Sequence, residues 1–163
     1  CVSGPCLARG YDRQPEKSSQ VFREGWYHTR DLGYLSNGEL FVTGRIDDLL
    51  ILNGRNHYAH DLEFSLRDTS GIVPGRVMAF SEYRDDLGSD VLIVLAETRE
   101  TDAAALKTIK KNIRDTMLDE TGLVPASIHL FPPMWLIKST SGKISREATA
   151  NKYNSPALEE GLT

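Results

Sequence analysis

The stretch VLIVLAETRETDAAALKTIKKNIRDTMLDE, residues 91–120, decides the fold. Its first six residues are an unbroken aliphatic run rich in β-branched side chains, the pattern of a strand. From residue 102 the period changes. Leu106, Ile109, Ile113 and Met117 recur at spacings of three and four and lay one apolar stripe along a helix. The spacing predicts a helix over 102–120, capped by Thr101 or Asp102 and stopped by Thr121-Gly122 with Pro125 just beyond. Its opposite face carries Lys107, Lys110, Lys111 and Arg114, which reads as a solvated face, with docking of an acidic partner as the alternative.

Working outward, residues 76–80 and 127–131 read as further strands, Pro132-Pro133 as a forced extended turn, 134–137 as another strand and 144–152 as a closing helix. Upstream, 61–69 is a short helix and 49–52 a short apolar run. The first 45 residues are different: short apolar pieces lie between turn signals, including Ser3-Gly4-Pro5, Gln14-Pro15 and Gly25, and read as strands of a small β subdomain. Tyr34-Leu35 and Leu40-Phe41-Val42 flank Asn37-Gly38, a dipeptide that takes positive φ readily and so predicts a β-hairpin. The expected fold class is α+β. A domain over 47–153 has a β-hairpin and a mixed three-stranded sheet packed by helices, a β-rich piece over 1–46 precedes it, and a tail over 154–163 has little to bury.

Composition limits the function. The 163 residues are 40% hydrophobic and 26% charged, with a net charge of −4, so neither a nucleic-acid partner nor a membrane span is expected. Cys1 and Cys6 are too few for a disulfide framework and point to a reducing compartment, the cytoplasm. The opening Cys1-Val2-Ser3-Gly4-Pro5 reads as the start of a piece cut from something longer.

Three constellations could carry chemistry. His57 and His60, at the start of a helix, supply at most two of the four ligands of a closed zinc site, so local capping is the better reading and no metal site is expected. His28 and His129 stand alone and read as structural. Lys138-Ser139-Thr140-Ser141-Gly142-Lys143 ends in a lysine on a polar loop; Ile137 and Ile144 stand where a phosphate loop would need glycine and Ser or Thr. It is either a solvated turn or a mobile ammonium aimed at a phosphate or carboxylate. The third set joins Gly25-Trp26-Tyr27-His28-Thr29-Arg30-Asp31-Leu32 to Gly44-Arg45-Ile46-Asp47-Asp48, which alone would read as a surface ion-pair network.

Taken in order, these segments resemble the C-terminal part of the adenylate-forming superfamily, which includes acyl-CoA synthetases, fatty acyl-AMP ligases, luciferases and peptide-synthetase adenylation domains. The resemblance covers residues 2–146. Gly4-Pro5, Gly10-Tyr11, Pro15-Glu16 and Phe22 are similar to a strand and loop of the superfamily's small β subdomain. Residues 26–32 resemble the segment ending Thr-Gly-Asp, 44–48 the hinge motif, and 138–146 the terminal Ser-Gly-Lys motif. Residues 38–45, Gly54-Arg55-Asn56-His57-Tyr58 and Asp61-Leu62-Glu63 are most similar to fatty acyl-AMP ligases. Three positions depart from the pattern: Arg30 replaces a usual glycine, Ala59 a usual proline, and Ile137 a usual proline.

The resemblance implies an ATP-dependent ligase that activates a fatty acid as its adenylate and passes it to the phosphopantetheine thiol of an acyl carrier protein. Coenzyme A as acceptor is the alternative, and a non-catalytic interaction module, with Arg30 blocking the nucleotide, is the alternative of another class. Residues 1–46 would then end the N-terminal domain, and 47–153 would be a mobile C-terminal domain. Lys143 is implied as the catalytic lysine, Asp31 and Arg45 as nucleotide-binding residues, Asp47 as the hinge, and Gly54, Arg55 and Asn56 as part of the face toward the acceptor thiol. ATP and Mg²⁺ are implied, with Mg²⁺ held mainly by the N-terminal domain, so these 163 residues alone are expected to be inactive.

Overall fold

The Asn37-Gly38 dipeptide turns the chain between β3 (Asp31–Ser36) and β4 (Glu39–Arg45). Both residues have positive φ, 51° and 83°, as a two-residue hairpin turn of the right twist requires. The pairing runs from Ser36 opposite Glu39 to Asp31 opposite Arg45, with one irregularity between Leu32 and Gly33. Glycine is needed there: a Cβ on residue 33 would lie 2.4 Å from the Phe41 carbonyl oxygen. Gly33→Ala should therefore destabilise the complete protein by about 1–3 kcal/mol, the scale of overpacking. Thermal unfolding checks this, and an unchanged melting temperature would refute the close approach.

This computed structural model describes residues 1–155. From 156 onward the expected tail lies outside the described residues. The chain divides into two units, Cys1–Leu49 and Leu50–Thr163. In the first, the expectation of strands alone is corrected by α1 (Pro15–Val21). Proline at the first helical position loses no bonded N–H and already has a helical φ, so Gln14-Pro15 starts a helix here. The short strands β1 (Phe22–Arg23) and β2 (Trp26–Tyr27) follow and pair antiparallel.

The second unit is built on β7 (Val77–Arg84), β8 (Ser89–Glu97) and β9 (Ser127–Phe131). Their order is β7-β8-β9, antiparallel then parallel, so the mixed three-stranded sheet forms as expected. A parallel pair needs a long crossover, and α3 (Ala103–Thr121) supplies it. Asp102 caps α3 by accepting a hydrogen bond from the Ala105 N–H at 2.9 Å, and the helix ends at Gly122. All four stripe residues are buried.

The unbroken aliphatic run of β8 follows from burial on both faces. Val94 and Ala96 join a core with the α3 stripe and with Ala59 and Leu62 of α2 (Ala59–Ser65). Ile93 and Leu95 face the other way, toward Phe131 and Leu136, where Ala150 and Tyr153 of α4 (Arg146–Tyr153) pack. The strand β5 (Leu49–Leu52) pairs with β6 (Arg55–Tyr58) across Asn53-Gly54, a second two-residue hairpin. Its Leu50 and Leu52 enter the core beside α3.

Element boundaries shift, β7 running on to Arg84 past the expected end at residue 80, and one element is absent. The helix expected over 61–69 is α2, which begins earlier and ends at Ser65, and the closing helix begins at Arg146 rather than 144. Residues 134–137 are not a strand. The backbone N–H groups of Met134 and Leu136 are taken by the Glu97 carboxylate instead of a neighbouring strand. Nor do the histidines cap α2: Tyr58 is its N-cap residue and makes no side-chain capping bond. His60 stacks on Tyr58 and lies 3.4 Å from Asp61.

Candidate functional site

In the first unit, the foot of the β3–β4 hairpin gathers four charged side chains. Asp31 opens β3, Arg45 ends β4 directly opposite, and Asp47 lies in the single 3₁₀ turn Ile46–Asp48 that follows. Arg45 Nε is 3.4 Å from Asp31 Oδ1, and Arg45 Nη2 donates to the Thr29 carbonyl at 3.2 Å. Asp31 keeps 43% of its side chain exposed, so lone pairs of its carboxylate remain open to a ligand's hydroxyl groups.

Arg30 occupies the left-handed region with φ 63°, which explains a preference for glycine at this place. Its guanidinium turns onto Asp47, with Nε 2.8 Å from both carboxylate oxygens. That hydrogen-bonded guanidinium holds the Asp47 carboxyl below the usual carboxylate range. The sign follows from linkage: whatever the pair contributes is present at neutral pH and is lost as pH falls through the lowered pKa.

The second unit carries the lysine loop. An isolated bridge pairs Lys138 with Ile144, and inside it the Ser139 N–H donates to the Lys143 carbonyl at 2.8 Å. Gly142 closes the turn by donating to the Ser139 carbonyl at 2.9 Å. Lys143 is exposed, beside the hydroxyl pair of Ser139 and Ser141 at 2.9 Å. The loop thus combines a hydrogen-bonded backbone with an exposed cation on a long stem.

Gly54, Arg55 and Asn56 are exposed, at the turn of the β5–β6 hairpin and the first two residues of β6. Asp31, Arg45 and Asp47 therefore share one cluster, whereas Lys143 and the 54–56 turn belong to the other unit. Among the described residues, no group of three or more His, Cys, Asp or Glu is placed to hold a metal ion. No described helix is long and apolar enough to cross a membrane. The two histidines read as structural each have a partner. His129 Nε2 lies 3.0 Å from the Tyr153 hydroxyl, and burial lowers its pKa; His28 Nδ1 lies 3.4 Å from Cys1 Sγ.

No family model matches the chain. It is 36% identical over 170 residues to the long-chain-fatty-acid–AMP ligase FadD26 of Mycobacterium marinum, covering 93% of this chain and 28% of that protein. In sequence and in fold the chain corresponds to part of a fatty acyl-AMP ligase of the adenylate-forming superfamily. It is also 32% identical to a 4-hydroxyphenylalkanoate adenylyltransferase of Mycobacterium tuberculosis, again over 93% of this chain. Among solved structures, McyG A-PCP complexed with phenylalanyl-adenylate superposes with a TM-score of 0.81 at 31% identity, over 92% of this chain and 23% of that one. A fatty acyl-adenylate ligase from a study of the E. coli and L. pneumophila enzymes gives 0.72 at 31% identity, over 93% and 26%. The chain spans just over a quarter of the curated relatives' length.

Several residues that organise the lysine loop escape reading of the family motifs. Glu97 stands at the end of an aliphatic strand, where a carboxylate looks like the first solvent residue, yet it is fully buried. Thr149 is equally buried and accepts from the Ile137 N–H at 3.2 Å. Neither carries a sequence signal beyond position. Glu63 and Arg146 sit at the edges of quoted motifs, but their pairing spans 83 residues and has no local pattern.

Proposed function

We propose that the complete protein activates a fatty acid with ATP as the acyl-adenylate and transfers the acyl group to the phosphopantetheine thiol of an acyl carrier protein. The observation that carries this reading is the identity with a fatty-acid–AMP ligase across nearly the whole chain. The A-PCP neighbour pairs an adenylation domain with a carrier module and supports a carrier-protein acceptor. A second reading, with coenzyme A as acceptor, is favoured by 36% identity to a Mycobacterium leprae protein with the provisional name fatty-acid–CoA ligase fadD21. Offering holo carrier protein and coenzyme A to one preparation decides between them: preferential acylation of coenzyme A would overturn the first.

In this reading residues 1–46 close the N-terminal domain and 47–153 form the mobile C-terminal domain of a cytoplasmic enzyme. A carboxylate approaching the α-phosphate meets like charge, and the Lys143 ammonium offsets the charge that builds up in the transition state. Asp31 accepts hydrogen bonds from the ribose hydroxyls, and Arg45, already oriented by Asp31 and Thr29, supports the same sugar. Asp47 is the hinge, and Gly54, Arg55 and Asn56 face the incoming thiol. Mg²⁺ neutralises phosphate charge when bound, and we assign it to no residue of this chain.

Arg30 is engaged by Asp47 rather than extended toward a nucleotide. Arg30→Gly should therefore weaken ATP binding, by a few-fold at most, the scale of an exposed ion pair. Titration of the complete enzyme with ATP checks this, and tighter binding would mean that Arg30 crowds the nucleotide. An enzyme that binds no ATP in either form would favour the interaction-module reading.

A further inference from the structure

The lysine loop is held at both stems by side chains remote in sequence. On the entry side, the Glu97 carboxylate accepts the Met134 N–H at 2.9 Å and the Leu136 N–H at 2.7 Å. On the exit side, Arg146 lies three residues beyond Lys143 and forks onto Glu63. Its Nη2 lies 2.8 Å from Oε2, and its Nη1 bonds Oε1. The same Nη1 donates to the Ala79 carbonyl at 3.1 Å, while the Ala79 N–H donates to Glu63 Oε1 at 2.9 Å. This closed ring ties the start of α4 to α2 and β7. The Ser145 N–H, donating to the Ile137 carbonyl at 2.8 Å, then joins the exit stem to the entry stem.

We propose that Glu63 and Arg146 are positioning residues for Lys143: by fixing the exit stem to the sheet they set where the ammonium is presented, without touching substrate themselves. The inference rests on the assignment of Lys143 as the adenylation lysine. The part-buried, two-pronged geometry is the reason for arginine. A planar fork meets both carboxylate oxygens and leaves an N–H for the Ala79 carbonyl, whereas a lysine ammonium would hold the stem at one point. Displacing a reacting group by about 1 Å can cost about 10²-fold in rate, so a loosened stem is felt at the chemistry.

The test is a cycle in the complete enzyme combining Arg146→Lys with Lys143→Ala. Arg146→Lys alone should lower kcat for adenylate formation by about tenfold or more, with transfer from supplied acyl-adenylate unchanged. In the Lys143→Ala background it should cause no further loss, because its effect runs through the lysine. Equal losses in both backgrounds, or a parallel fall in both half-reactions, would overturn the proposal. Normal adenylation by Lys143→Ala alone would instead overturn the assignment beneath it. Melting temperatures are measured throughout. If Arg146→Lys is unfolded at the assay temperature, Glu63→Gln, which keeps an oxygen for the Ala79 N–H, is read against the same criteria.

Discussion

Replacing Lys143 with alanine in the complete enzyme should lower acyl-adenylate formation by about 10² to 10³, the loss expected when one charge-stabilising donor is removed. Thioester formation from supplied acyl-adenylate should survive, because the second step builds no charge at phosphorus. The substitution is clean for a structural reason. The loop is closed through the carbonyl of Lys143, which accepts from the Ser139 N–H at 2.8 Å and the Ser139 hydroxyl at 3.1 Å, and alanine keeps that carbonyl. Pyrophosphate exchange reports the first step and single-turnover acylation of a thiol the second. Equal losses in a folded protein would remove Lys143 from the role proposed for it.

Asp47→Pro should separate the two half-reactions in another way. Asp47 lies in the short turn just before the division of the chain at Leu49 and Leu50. Proline there fixes φ near −65°. A variant locked in the adenylating orientation should still make acyl-adenylate and fail to deliver it to a carrier-protein or coenzyme A thiol. Proline also removes the carboxylate that holds Arg30, so Asp47→Ala is the necessary companion. A transfer defect much larger in the proline variant than in the alanine variant assigns the loss to the backbone. Undiminished transfer in the proline variant would refute the hinge.

The elements legible from sequence were those whose partners are local or periodic. The stripe Leu106, Ile109, Ile113 and Met117 locates α3 because each residue meets the core at the helical period. Asn37-Gly38 locates the β3–β4 turn because few other dipeptides accept two positive φ values in succession. Residues 134–137 misled because an apolar run beside a proline pair resembles a strand, and nothing nearby reveals that Glu97 satisfies their backbone from 37 and 39 residues away. Of the candidate site, the motif residues were visible through resemblance. The Arg30–Asp47 pair and the ring around Arg146 were not, since each depends on which side chain the fold brings across.

The parallel pairing of β9 with β8 also bears on the order in which the molecule can be made. β7 and β8 form a hairpin and can pair early, but β9 must wait for the α3 crossover, since a non-local pairing is delayed by the closure of its loop. The platform beneath Lys143 comes later still. Its entry stem hangs on a carboxylate at the end of β8, and its exit stem depends on α2, β7 and α4 all being in place. The hydrogen bonds that order the lysine loop therefore exist only once α2, β7, β8 and α4 are all in place, whatever the state of the loop's own residues.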